Sequence, residues 1–433
     1  MAMDGKELVE KLAKLSQVQS IKDIPQLTHA LFPGTHCPLM GAAMAVGGIK
    51  DSLIVVVGTD ECTYYTKSMT IHSEKFGGID GRCVSVVLDD HDVTFGSAEK
   101  VQEAFKEIIE EYRPQCVFLV TTCVIEIIGD DFDAISEGLS ELYGIPVLPV
   151  HTEHFKCEDH LPGLERTITV CAEMMKSCDC DNSVNLLGQR MGDFATTELY
   201  AMLQKAGVKI GLQLPCGCSV DDIKNAAAAK VNIVVNDIAL PLAQKMQEKF
   251  GIPYVYFNKF VIPEKIYEAY KNLFGYLELE LPGELEGLYQ NAREKIEKNK
   301  GELEGITYIY GNTPYAVFEM NCFLSSLGMV PQVIQTNRYT EADEPYAKEI
   351  LQYTDPYVCK AANIAPLQYV YDVLSPYLYL GHEFGNRLRQ KGIAIVHSDR
   401  ASDMLGFEVT GYLLQQLVKS VREAKEYRKE LGL

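Results

Sequence analysis

Basic residues are in deficit: 40 Lys and Arg stand against 60 Asp and Glu, a formal net charge of −20. A nucleic-acid or anionic-membrane surface needs clustered cations to meet phosphates, so neither is expected as a partner. Long apolar runs are missing as well. No stretch approaches the ~18 to 20 apolar residues that cross a bilayer. The start, Met1 to Leu15, reads as a charged amphipathic helix rather than a secretory leader, so a cytoplasmic protein is expected. There is no G-x-x-x-x-G-K-[ST] phosphate loop, and "GNTP" or "GTDE" after a strand is no substitute, so nucleotide hydrolysis is not expected on this chain. Tryptophan is absent altogether. Cysteine is the exception to this scarcity. There are 13, an odd number that excludes complete internal pairing, and a disulfide scaffold is not expected in so large a chain of this kind.

At 433 residues, 47% hydrophobic and 23% charged, the chain is ordinary globular material of two or three domains. Three times it runs from an apolar, β-branched strand through a short polar loop into a helix. The first run contains "SLIVVVGTDECTYYT" and "QCVFLVTTCVIEIIGDD", with a helix over Ala98 to Tyr112. The second runs from "SVNLLGQRMGDFATTELYAMLQKAG" through "VNIVVND" to "GIPYVYF", and the third from "ITYIYGNTPYAVFEMNCFLSSLGM" to "GIAIVHS". Such alternation predicts parallel sheets with crossover helices. The expected fold is α/β: three doubly wound, Rossmann-like domains around a central cleft. The divisions fall at residues 1–26, a helical lead, then 27–182, 183–300 and 301–433. The polar "KSCDCDNSVN" and the charged "REKIEKNKGELEG" mark the two later breaks.

Ligands of such folds sit beyond the carboxyl ends of the strands. Cys37, Cys62 and Cys123 all occupy loop or strand-end positions of the first domain, separated by 25 and 61 residues. That spacing is too wide for a zinc ribbon or a run of C-x2-C repeats. It suits either three thiolate ligands gathered at a sheet edge, the donors an iron–sulfur cluster requires, or three unrelated cysteines. Cys83, Cys116, Cys171 and Cys322 lie within apolar runs and are expected to be core residues.

The segments "HCPLMGAAMAVGGIKDSLIVVVGTDECTYY" and "TTCVIEIIGDD" resemble the nitrogenase component-1 superfamily, as do "VNIVVNDIALPLAQKMQEKFGIPYVYFNKFVIPEKI" and the ending "KGIAIVHSDRASDMLGFEVTGYLLQQLV". That superfamily includes both molybdenum–iron protein subunits, their cofactor-assembly scaffold, and several tetrapyrrole and carbon–sulfur reductases. The resemblance implies that Cys37, Cys62 and Cys123 hold a cluster at a subunit interface. It would be a 4Fe-4S or an 8Fe-7S P-cluster type. Three thiolates leave the ligand set incomplete, which implies a second subunit in a homo- or heterodimer, or a heterotetramer. It also implies a separate ATP-hydrolysing iron protein as electron donor. His154 matches a position where one family subunit carries a serine near this cluster.

A second metallocofactor in the cleft is a further implication. His397, in "VHSD", resembles the family's cofactor histidine, although a loop-capping histidine reads equally well. The matching cysteine position falls on Val235 to Asp237 and holds no thiol. Cys216 and Cys218, in "LQLPCGCSVDD", offer a C-x-C alternative after a strand predicted over Val208 to Leu214. His151, His154, Cys157 and His160 cluster within ten residues. His160 resembles the family's cavity-lining polar residue and is expected to deliver protons, with a zinc site as the other reading. His382, with Glu383, is a second cleft candidate, while Arg387 and Arg389 read as a solvated helix face. The leading expectation is a catalytic component of a nitrogenase-like reductase. The alternative is a non-catalytic scaffold on which an iron–sulfur metallocofactor is assembled.

Overall fold

The computed structural model describes residues 4–27, 36–71, 81–157, 159–190, 193–311, 313, 315–360 and 364–433. The "FPGT" stretch before His36 and parts of "GNTP" lie outside these.

The first sheet is built from β1 (Ser52–Gly58), β2 (Cys83–Val87), β3 (Cys116–Thr121) and β4 (Val147–Val150). Its order is β2-β1-β3-β4, and every pairing is parallel. Every residue of β1 and β3 is buried, which is why both read as unbroken apolar runs: helices cover both faces of a parallel sheet. The second sheet uses β5 (Val184–Gln189), β6 (Ile210–Pro215), β7 (Val231–Val234) and β8 (Tyr254–Tyr256), in the parallel order β8-β7-β5-β6. The third contains β9 (Thr307–Tyr310), β10 (Val330–Gln335), β11 (Tyr357–Cys359), β12 (Leu378–Leu380) and β13 (Ala394–Val396). There the parallel order is β11-β10-β9-β12-β13. The chain is thus α/β with three doubly wound sheets.

The opening segment departs from expectation. Its helix spans only Gly5–Glu10, and Ala13–Lys14 then pairs antiparallel with Tyr357–Val358, extending the third sheet beyond β11. Leu15, Val18 and Ile24 are buried in the third-domain core. The lead is therefore an edge of the last domain rather than a unit of its own. A parallel sheet that ends at β11 exposes unpaired backbone groups, and these two residues satisfy part of that edge. The first two domains are also joined: Ile49–Lys50 pairs in parallel with Cys218–Ser219, and one apolar core runs through both. Among the described residues no helix is long and apolar enough to cross a membrane.

Candidate metal centre and interdomain cleft

Four helices position the candidate ligands: α1 (Pro38–Gly47), α2 (Asp60–Ile71), α3 (Cys123–Ile128) and α4 (Leu161–Val170). Cys37 is the N-cap of α1, and its side chain makes no capping hydrogen bond. Cys62 lies in the first turn of α2, which follows β1, and the Thr59 hydroxyl donates to its Sγ at 3.5 Å. Cys123 opens α3 directly beyond β3. Burial pushes the Cys123 thiol up, and negative charge at Cys62 and Cys37 pushes it further, so the three sulfurs feel one another. All three are half-buried, whereas Cys83, Cys116, Cys171 and Cys322 are buried as expected and Cys178 and Cys180 are exposed.

This donor set fits an iron–sulfur cluster in its chemistry: three soft sulfur donors whose thiolates would repel one another until a cationic metal centre neutralised them. Among the described residues no group of three or more His, Cys, Asp or Glu converges closely enough to hold one metal ion. His151, His154, Cys157 and His160 are among the residues so described. A multinuclear cluster, where each thiolate meets a different iron, does not require such convergence. Around the trio, Tyr64, Tyr65, Ile127 and Phe155 are each about two-thirds exposed (65%, 67%, 71% and 69%). Large side chains displayed so openly beside half-buried thiols match a surface that another subunit covers.

Two glycines set the position of Cys37. A Cβ on Gly41 would lie 1.9 Å from the His160 carbonyl oxygen, and one on Gly163 would lie 1.8 Å from the Pro38 carbonyl oxygen. The backbones of α1 and α4 touch there, and only glycine permits that approach. The same crossing fixes His160, which precedes α4, with its ring 6.3 Å edge-on from His36. Burial, followed by the Arg190 charge, pushes His160 down to about 4. The imidazole is neutral at pH 7, because burial disfavours its charged form.

Three cations stand at strand ends and interact in series, a feature sequence reading missed. Arg190 follows β5, Lys259 lies three residues past β8, and Arg338 lies three residues past β10. All are at strand carboxyl ends, so the rule that found the cysteines could have found them. They press on one another. Burial and then Arg190 push Lys259 down to about 8, while burial and Arg338 lower Arg190, with Asp159 and Asp403 opposing. Carboxylates stand among them as well: Asp159 faces Arg190, Asp403 faces Lys259 and Glu165 faces Arg338.

The other predicted residues scatter. His382 is exposed, with Nε2 3.4 Å from Asp399, and His397 is exposed at the end of β13, where its backbone carbonyl accepts from Tyr412 at 3.1 Å. The C-x-C pair does not present two open thiols. Cys218 is 2% exposed within the core shared by the first two domains, and burial pushes its thiol up to about 12. Cys216 is half-buried and packs at the carboxyl end of α1, where the Gly217 amide donates to the Gly48 carbonyl at 3.1 Å. It therefore lies at the opposite end of that helix from Cys37. At Val235 to Asp237, Val235 is buried, Asn236 caps the following turn, and the Asp237 carboxylate accepts from the Tyr256 hydroxyl.

Residues 37–422 match the family model described as nitrogenase component 1 type oxidoreductase. The chain is 31% identical over 224 residues to the nitrogenase iron-molybdenum cofactor biosynthesis protein NifE of Clostridium pasteurianum, covering 51% of this chain and 49% of that one. It is 25% identical to NifE of Rippkaea orientalis, over 73% and 69% of the two chains. It is 24% identical to the nitrogenase molybdenum-iron protein alpha chain of Methanosarcina barkeri, over 72% and 62%. The match thus spans about half the length of the first of these relatives. In fold, a solved chain of nitrogenase Cp1 at pH 6.5 superposes with a TM-score of 0.78 at 15% identity, covering 93% of this chain and 95% of that one. The chain belongs to the nitrogenase component 1 type oxidoreductase family.

Proposed function

We propose that this chain is one subunit of a nitrogenase-like complex on which an iron–sulfur metallocofactor is assembled and then released. The carrying observation is a pair of features: basic side chains at three strand ends, and no sulfur at Val235 to Asp237 to anchor a cofactor covalently. A ligand held by charge can be taken up and handed on, whereas one held by a metal–thiolate bond is retained. The relatives named for cofactor biosynthesis support this reading over the catalytic one expected from sequence. Cys37, Cys62 and Cys123 would hold a separate cluster with ligands from a second subunit, and such a cluster, when bound, supplies single-electron transfer. Arg190, Lys259 and Arg338 hold and orient the anionic cargo. Neutral His160 offers a hydrogen bond without adding charge.

Anaerobic purification with the second subunit, followed by incubation with an acceptor protein, tests this. Transfer of metal to the acceptor supports the assembly role. Turnover of a reducible substrate with an iron protein and ATP, without transfer, overturns it. Lys259→Ala should cut retention of the cleft cargo by about tenfold, the loss of one charge-assisted contact, and leave iron at the cysteine site unchanged. Retention in the parent should also weaken as pH rises through about 8, where Lys259 loses its charge. Equal retention at pH ~7 and ~9, on either side of that titration, would remove Lys259 from the site.

A further inference from the structure

The loop joining β4 to α4 is gripped from two sides. On α3, one turn beyond Cys123, the Glu126 carboxylate accepts from the Thr121 hydroxyl (2.8 Å) and the Thr152 hydroxyl (3.1 Å). It also accepts from the Glu153 amide (2.5 Å) and the His154 amide (3.2 Å). From α4, Arg166 donates to the Thr152 carbonyl (2.6 Å), the His151 carbonyl (3.3 Å) and the Glu153 carboxylate (2.5 Å). Glu153 itself sits at φ 44°, in the left-handed region that a non-glycine residue adopts only where its surroundings hold it. Beyond Arg166, α4 meets α1 at the Gly41 and Gly163 contact, and α1 begins at Cys37.

A continuous path therefore runs from Cys123 through Glu126, the loop, Arg166, α4 and α1 to Cys37. Glu126, with four donors upon it, is committed to holding the loop. We infer that Glu126 and Arg166 are positioning residues that set the spacing of Cys123 and Cys37, and with it the geometry of the cluster site. This rests on the reading of the cysteine trio as that site. A glutamine side chain in place of the Glu126 carboxylate keeps one acceptor oxygen and turns an amide donor toward the other site, so one of the two backbone N–H groups loses its acceptor. A lysine in place of Arg166 keeps the charge but cannot reach carbonyl and carboxylate together as the guanidinium fork does.

The test uses the full chain in two arms. In the metal-free protein, bifunctional thiol reagents of graded span link Cys37 to Cys123, and the linked peptides are quantified by mass spectrometry. The parent should favour one span. Glu126→Gln and Arg166→Lys should spread the yield and lower the preferred product by about threefold or more, with an unchanged circular dichroism spectrum. In the reconstituted protein, the same variants should change the EPR line shape of the cluster. An unchanged span profile in both folded variants overturns the inference. If Glu126→Gln fails to fold, Arg166→Lys and Thr152→Val, which removes one hydroxyl donor to Glu126, decide it by the same profile. If the parent takes up no iron, the cluster reading fails, and the span profile still decides the positioning role.

Discussion

Cys123→Ser is expected to abolish iron binding at the first-domain site while the chain stays folded. A cluster iron needs a deprotonated sulfur, and a serine hydroxyl is a hard donor that remains protonated near neutrality. Because Cys123 is half-buried at a helix start rather than in the core, the substitution opens no cavity. Iron and sulfide per chain, with EPR after reconstitution, should fall to the background level. Cys178→Ser with Cys180→Ser, on the exposed linker, should change neither. Full iron content in Cys123→Ser would dismiss the trio as a cluster site. A pH dependence follows as well. The Cys123 thiol lies above its usual range, so it is protonated at neutral pH and must lose its proton to ligate. Reconstitution should therefore proceed further at pH ~8.5 than at pH ~7. The reverse trend would argue against thiolate ligation at this position.

Gly163→Ala should cost more than any surface substitution and should damage the metal site as well. The added methyl would stand 1.8 Å from the Pro38 carbonyl oxygen and 2.5 Å from its carbonyl carbon. Both are backbone atoms, so no rotamer change relieves the clash. The helices must part, at a cost of about 2 to 3 kcal/mol or beyond, the range of overpacked cores. Pro38 adjoins Cys37, so the displacement reaches a ligand directly. Denaturant unfolding should show a lowered first transition, and iron uptake should drop severalfold. Gly41→Ala should act in the same way through the His160 carbonyl at 1.9 Å. The double variant should cost less than the sum, because both substitutions separate one contact. By contrast Gly138→Ala, with open space around its Cβ position in the helix Phe132–Tyr143, should leave unfolding and iron unchanged. A Gly163→Ala protein as stable as the parent would show that the two helices do not touch as described.

Local signals carry much of this architecture. Strands buried on both faces read as apolar runs whatever surrounds them, so β1 and β3 are evident in "SLIVVVG" and "CVFLVT". The helices Ala98–Tyr112 and Leu240–Phe250 end at an arginine in the left-handed conformation and at a glycine respectively, and the second stop is written in the chain. Cys37, Cys62 and Cys123 can be picked out because each stands next to a recognisable strand or helix start.

What cannot be read in this way involves partners distant in the chain. Cys218 resembles a loop thiol because its own neighbours are polar. Its apolar surroundings come instead from the first domain, through the pairing with Ile49. Ala13–Lys14 has a helical pattern, yet the open edge at β11 offers it backbone partners at Tyr357 and Val358, far along the chain. Arg190, Lys259 and Arg338 are unremarkable singly, and the repulsion of Arg190 with Lys259 and with Arg338 exists only because the fold brings their loops together. The residue order thus settled the strand and helix periods and marked the strand-end cysteines as candidates, because those depend on near neighbours. Only the tertiary structure decided which thiols are buried, how burial acts on His160, and which cations face one another, because burial and electrostatics are set by residues remote in sequence and close in space.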